Sequence, residues 1–142
     1  MKIVFGSDEK TPLTDCILQW LKETKHEVKE VGHLIDKNKQ WRWVEIGREV
    51  GKAVTSGEAD YGIVCCWSGT GVCMAANKNV GTRAALCWDA ETAKLARKWD
   101  NANILCLSLR FTSETLAKEI LTIWFQTKFD EEGLNEVHKL DG

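Results

Sequence analysis

The residues best suited to chemistry lie in one short run, CWSGTG, at positions 66–71. It holds a thiol, two hydroxyls and two glycines in six residues. Before it, residues 61–65 (YGIVC) are apolar and read as a buried strand. After it, residues 72–78 (VCMAANK) read as the start of a helix. A strand that enters a glycine-rich turn and then a helix leaves free N–H groups at the helix start. Those groups favour anions and developing negative charge. A thiol at that point is drawn toward its thiolate form. Cys66 at the turn is therefore a candidate base or nucleophile, with Cys65 packed inside the strand. The bland alternative is that both are core cysteines.

A nucleophilic cysteine needs an adjacent histidine, and none is near in sequence. A proton-abstracting thiolate needs only a lowered pKa and an oxyanion site beside it. The glycines form neither GxxxxGK[ST] nor a GxGxxG after the first strand, so a nucleotide site is not expected. The six cysteines (16, 65, 66, 73, 87, 106) include no CxxC pair, and His26, His33 and His138 are scattered. That spacing argues against a metal site. With no secretion signal, reduced thiols in a cytoplasmic protein are expected. The net charge of −2, from 19 basic and 21 acidic residues, gives no electrostatic case for nucleic acid or a membrane surface. No apolar run is long enough to span a bilayer.

The elements that must position the turn follow one rhythm. Residues 2–6, 26–31, 61–65, 82–87 and 104–107 read as strands. Helical spacing covers residues 12–21, 43–55, 72–78, 90–99 and 113–127, with Thr11, Asp89 and Ser113 as N-caps. Residues 32–40 read as a loop, and the tail from 129 onward is polar. Five β-α units predict one α/β domain over 1–142, a doubly wound five-stranded parallel sheet between helices. Ligands in such sheets sit at the carboxyl ends of the strands. The polar clusters fall there: Ser7 and Asp8, residues 66–71, Trp88 and Asp89, and residues 108–110.

Residues 61–78, followed by GTRAALC at 81–87 and NANIL at 101–105, resemble the B-type ribose-5-phosphate isomerases and the related galactose-6-phosphate isomerase subunits. The likeness runs from KIVFGSD at 2–8 through the fifth helix. It implies a Rossmann-like α/β/α sandwich without cofactor or metal, forming dimers or tetramers with shared active sites. It also implies interconversion of aldose and ketose phosphates through a cis-enediolate. On this resemblance Cys66 is the base and Ser68 assists it. The amides of Gly69, Thr70 and Gly71 hold the enediolate. Asp8 is the acid at the end of strand one, and Arg110 helps hold the phosphate. Asn77 is chiefly structural, and the 128–142 tail is expected on the partner subunit.

The departures from the family pattern concern substrate choice. The GSDHAG pattern is GSDEKT here, placing Glu9 where a histidine is usual. The ring-opening histidine is replaced by Trp99 and its asparagine neighbour by Asp100, so either another group such as Asp100 or Glu9 opens the ring or the substrate is open-chain. A tyrosine contact falls near Trp43, and the glycine after the base is Trp67. The tail, EEGLNEVHKLDG, lacks the phosphate-binding arginines; Lys10, Arg42 and His138 are possible substitutes. Trp43, Trp67, Trp88 and Trp99 are expected to line one rim, with Trp20 and Trp124 in the packing. The expectation is an isomerase of a sugar phosphate, or of a different or non-phosphorylated sugar. A non-catalytic sugar-binding paralogue and a thiol redox sensor on Cys65 and Cys66, or on Cys73, are the alternatives.

Overall fold

The computed structural model describes residues 1–38 and 41–142. The 32–40 loop of the sequence reading thus lies partly outside the described residues. Five strands, β1 (Lys2–Ser7), β2 (Glu27–Gly32), β3 (Tyr61–Cys66), β4 (Ala84–Leu86) and β5 (Ile104–Ser108), form one parallel sheet in the order β2-β1-β3-β5-β4. The helices between and after them are α1 (Pro12–Glu23), α2 (Trp43–Thr55), α3 (Thr70–Asn77), α4 (Ala90–Asp100) and α5 (Glu114–Gln126). A short 3-10 turn (Glu131–Gly133) and a helix α6 (Leu134–Leu140) close the chain.

Strand side chains alternate between two apolar layers, because successive Cβ atoms point to opposite faces. Ile3, Phe5, Ile63 and Cys65 join α1, α4 and α5 on one face. Val4, Val64, Cys66 and Cys106 join α2 and α3 on the other. Both faces are covered, which explains why β3 and β5 are buried nearly end to end. Trp124 lies at the heart of the first layer, 1% exposed, and Trp20 stacks on Phe125, as expected of packing residues.

Caps set the helix starts. Thr11 accepts from the Thr14 N–H at 3.3 Å, Asp89 from Thr92 at 2.7 Å and Ser113 from Leu116 at 3.1 Å. All three match the sequence expectation. Strand β4 is shorter than the expected 82–87. Regular pairing with β5 begins at Ala84: the Arg83 N–H donates to the Asn103 side chain at 2.7 Å, while its carbonyl still accepts from the Asn103 and Ile104 N–H groups at 2.9 and 3.3 Å. The polar tail carries the 3-10 turn and α6, and it is tied to its own chain at two points. Asp130 N–H donates to the Lys98 carbonyl at 2.8 Å, and Asp141 pairs with Arg83 at 2.7 Å.

Order reverses around β1, whose sequence neighbour β2 lies on one side and β3 on the other. The crevice at the carboxyl ends of β1 and β3 is the topological switch point of the sheet. Asp8 follows one strand there and Cys66 ends the other.

Candidate active site

Alternation along β3 sends its two cysteines into different layers. Cys65 is fully buried, and desolvation pushes its thiol far up, so it is inert at neutral pH. Cys66, 5% exposed, faces α3. Its sulfur accepts the Gly69 N–H at 3.2 Å. The turn holds that shape because Gly69 is left-handed, with φ +78°. A Cβ there would lie 2.6 Å from Leu86 Cδ1 and 3.0 Å from the Leu107 backbone. Helix α3 begins directly after Gly69 with no side-chain N-cap. Its first-turn amides therefore face the turn that carries the thiol. The helix starts at Thr70, two residues before the expected position, because left-handed Gly69 replaces a polar N-cap.

The two hydroxyls of the turn form a unit. Ser68 Oγ and Thr70 Oγ1 are 2.7 Å apart, and the Thr70 N–H donates to Ser68 Oγ at 3.3 Å. The loop after β5 is tied to this turn by backbone. Arg110 N–H donates to the Trp67 carbonyl at 3.0 Å. Ser108, in the 108–110 polar cluster but without an expected role, donates its hydroxyl to the same carbonyl at 2.9 Å. Its signal in the sequence was a polar residue ending a buried strand. Ser68, Leu86, Trp88, Ser108, Arg110 and Phe111 line a shallow cleft of about 220 Å³. The Arg110 side chain is exposed there and makes no ion pair among the described residues.

Trp43, at the start of α2, lies flat against Gly71. A Cβ on that glycine would meet its ring at 2.8 Å. Trp67 and Trp88 are more than half exposed. Asp8 is half-buried, and its Oδ1 is buried with no hydrogen-bond partner among the described residues. Burial first, then the Glu9 charge, raises its pKa. Glu9 itself is exposed.

Two sequence candidates are not brought to this place. Trp99 and Asp100 end α4, which runs back from the carboxyl end of β4 to the start of β5. They sit at the opposite edge of the sheet, roughly 20 Å away for a six-residue strand at ~3.3 Å per residue. The expected single rim of four tryptophans is corrected accordingly: Trp99 does not share it within one chain. Of the substitute phosphate ligands, Lys10 is paired with Asp15, and His138 lies in the tail helix α6. Asn77 is structural: its amide accepts the Ala84 N–H at 2.8 Å and donates to the Ala84 carbonyl at 2.9 Å. Among the described residues no group of His, Cys, Asp and Glu is placed to hold a metal. No described helix is long and apolar enough to cross a membrane.

This geometry has close relatives. The solved ribose-5-phosphate isomerase B of Clostridium thermocellum superposes with a TM-score of 0.92 at 36% identity, covering 99% of this chain and 95% of that one. The ribose-5-phosphate isomerase B of Escherichia coli K12 is 32% identical over 140 residues, covering 91% of this chain and 86% of the relative. A probable ribose-5-phosphate isomerase B of Mycoplasma genitalium is 44% identical over 79 residues. That match spans only about half of either chain, 56% of this one and 52% of the relative. The family profile described as Ribose/Galactose Isomerase matches residues 3–141. With a left-handed glycine turn, a thiol beneath it and this coverage, the chain belongs to the Ribose/Galactose Isomerase family.

Proposed function

We propose that the protein is an aldose–ketose isomerase of a sugar phosphate, with Cys66 as the base. The Cys66 thiolate removes the proton alpha to the carbonyl. The electron pair moves onto the carbonyl oxygen as an enediolate, held by the first amides of α3 and by Ser68. The proton then returns to the neighbouring carbon. Arg110 is placed to meet the phosphate, and Asp8 and Glu9 the sugar hydroxyls. Proton transfer of this kind needs no redox cofactor. The observation that carries the reading is the Cys66 sulfur under an uncapped helix start, 3.2 Å from the Gly69 nitrogen.

We infer further that the site is completed by a second copy of the chain. Trp99, Asp100 and the 128–142 tail stand at the far edge of the sheet, so they reach a Cys66 site only from a neighbour. Mixing Cys66→Ala with Asp100→Asn protein tests this. Each alone is impaired; mixed oligomers regain part of the activity if sites are shared, and regain none if each chain works by itself. A reducing, cytoplasmic setting is part of this reading, and the free cysteines support it.

The exposed indoles of Trp67 and Trp88 favour a second reading, an isomerase whose sugar is held by its apolar face rather than by a full phosphate clamp. One assay separates these from a binding protein without catalysis. Candidate aldoses, with and without phosphate, are incubated in deuterated water, and wash-in at the alpha carbon is followed by NMR. Exchange with a phosphate ester supports the first reading, and exchange with the free sugar only supports the second. Binding without exchange, or exchange unaltered by Cys66→Ala, overturns the assigned chemistry.

A further inference from the structure

A second cysteine differs from the rest in its surroundings. Cys73, on the first turns of α3, is half-buried and lines a cleft of about 500 Å³ with Thr70, Met74, Asn77, Lys78 and Leu86. A small solute therefore reaches its sulfur. Three donors face that sulfur: the Cys106 thiol, the Leu86 N–H and the Asn77 amide, the last at 3.7 Å. As a thiol, Cys73 donates to the Ala84 carbonyl at 3.4 Å. That carbonyl also accepts from Asn77 at 2.9 Å, so it keeps a partner when Cys73 loses its proton. Facing Cys106 first of all, and against the cost of burial, the Cys73 pKa falls to about 7. Burial instead raises Cys65, Cys87 and Cys106. Cys106, on β5, is wholly buried in the same layer, and Cys73 is one of the partly buried residues packed against that layer.

We propose that Cys73 and Cys106 form a peroxide-reactive dithiol, Cys73 attacking and Cys106 resolving, apart from Cys66 and independent of the isomerase reading. The Cys73 thiolate attacks the outer oxygen of a hydroperoxide. The O–O bond breaks, an S–O bond forms, and the alkoxide or hydroxide leaves and takes a proton from water. Cys73 is then a sulfenic acid. The Cys106 sulfur gives up its proton and attacks Cys73, expelling hydroxide, which that proton converts to water. The dithiol loses two electrons to become a disulfide, and the hydroperoxide gains them to become an alcohol or water, with a second water released. A low-pKa, accessible sulfur beside a buried partner is the arrangement such a step requires.

The test treats the full chain with hydrogen peroxide at neutral pH and maps its thiols by mass spectrometry without reduction. A Cys73–Cys106 cross-linked peptide is expected, forming before Cys66 is oxidised. Cys73→Ser removes it and leaves Cys106 reduced. In Cys106→Ala, Cys73 stops at a sulfenic acid that dimedone captures. Should that core variant fail to fold, alkylation of wild-type Cys73 by iodoacetamide replaces it, with a rate midpoint near pH 7. A midpoint near 9, oxidation of Cys66 first, or over-oxidised Cys73 with no cross-link overturns the proposal.

Discussion

The two edges of the parallel sheet are built from the same strands and helices, yet they carry opposite polarity. At the carboxyl edge every following helix begins, and begins with amides pointing outward. There the structure places the Cys66 sulfur, the linked Ser68 and Thr70 hydroxyls, and an exposed Arg110 without an ion pair among the described residues. At the amino edge the crossover helices end, and end with carbonyls. There two arginines are already engaged. Arg97, 6% exposed, donates to the Ala102 carbonyl at 2.6 Å and to Tyr61 Oη at 2.9 Å, with its guanidinium 4.8 Å from the Tyr61 ring centroid. Arg83 holds Asp141 and the Asn101 carbonyl. One edge is thus equipped for an anionic intermediate and the other for holding the fold together.

Replacing groups at each edge should divide activity from stability along that line. The largest effect is expected for Cys66→Ala. Loss of the proposed base should lower turnover about 10²–10⁴-fold, with the thermal midpoint staying near that of the parent. A steady-state assay beside a melting curve checks both halves. Gly69→Ala comes next. It forces a side chain into a left-handed position against Leu107, at about 2–3 kcal/mol, and it removes the turn that holds the thiol. Denaturant unfolding and activity should both suffer; an unchanged midpoint would argue that the turn tolerates a Cβ.

At the amino edge the order of effects reverses. Arg97→Met leaves the Ala102 carbonyl and Tyr61 hydroxyl without their donor, at about 1–3 kcal/mol, and kcat is expected to hold once the variant is folded. A selective loss of kcat there would dissolve the contrast between the edges. Arg83→Ala, smaller still at about 1 kcal/mol, should release α6. Faster hydrogen exchange confined to residues 134–140 is its signature.

Much of this arrangement was written in local sequence. Thr11, Asp89 and Ser113 announced helix starts because a short polar side chain before an apolar period has few other uses. The βα rhythm gave the doubly wound sheet, and CWSGTG gave the turn. The misses have physical causes. Thr82 and Arg83 read as strand, but the Arg83 N–H goes to the Asn103 side chain at 2.7 Å, a pairing across 20 residues that no window contains. The tail looked merely polar because a short helix such as α6 buries little, Val137 above all. Asp100 is tied to Cys66 only by the family resemblance with its shared sites; within one chain, a crossover helix that starts at one edge finishes at the other.

Asn77 has a consequence for how the molecule meets its surroundings. Strand β4 is the last in the sheet, and the Ala84 N–H and carbonyl turn away from β5 toward this one side chain. Its amide presents a donor and an acceptor side by side, as a sixth strand would, and with the Cys73 sulfur beside Leu86 it leaves an incoming chain little backbone to pair with. The sheet therefore stops by saturation, without proline or lysine to guard its edge. Any neighbour that docks there must do so through side chains rather than by extending the ladder.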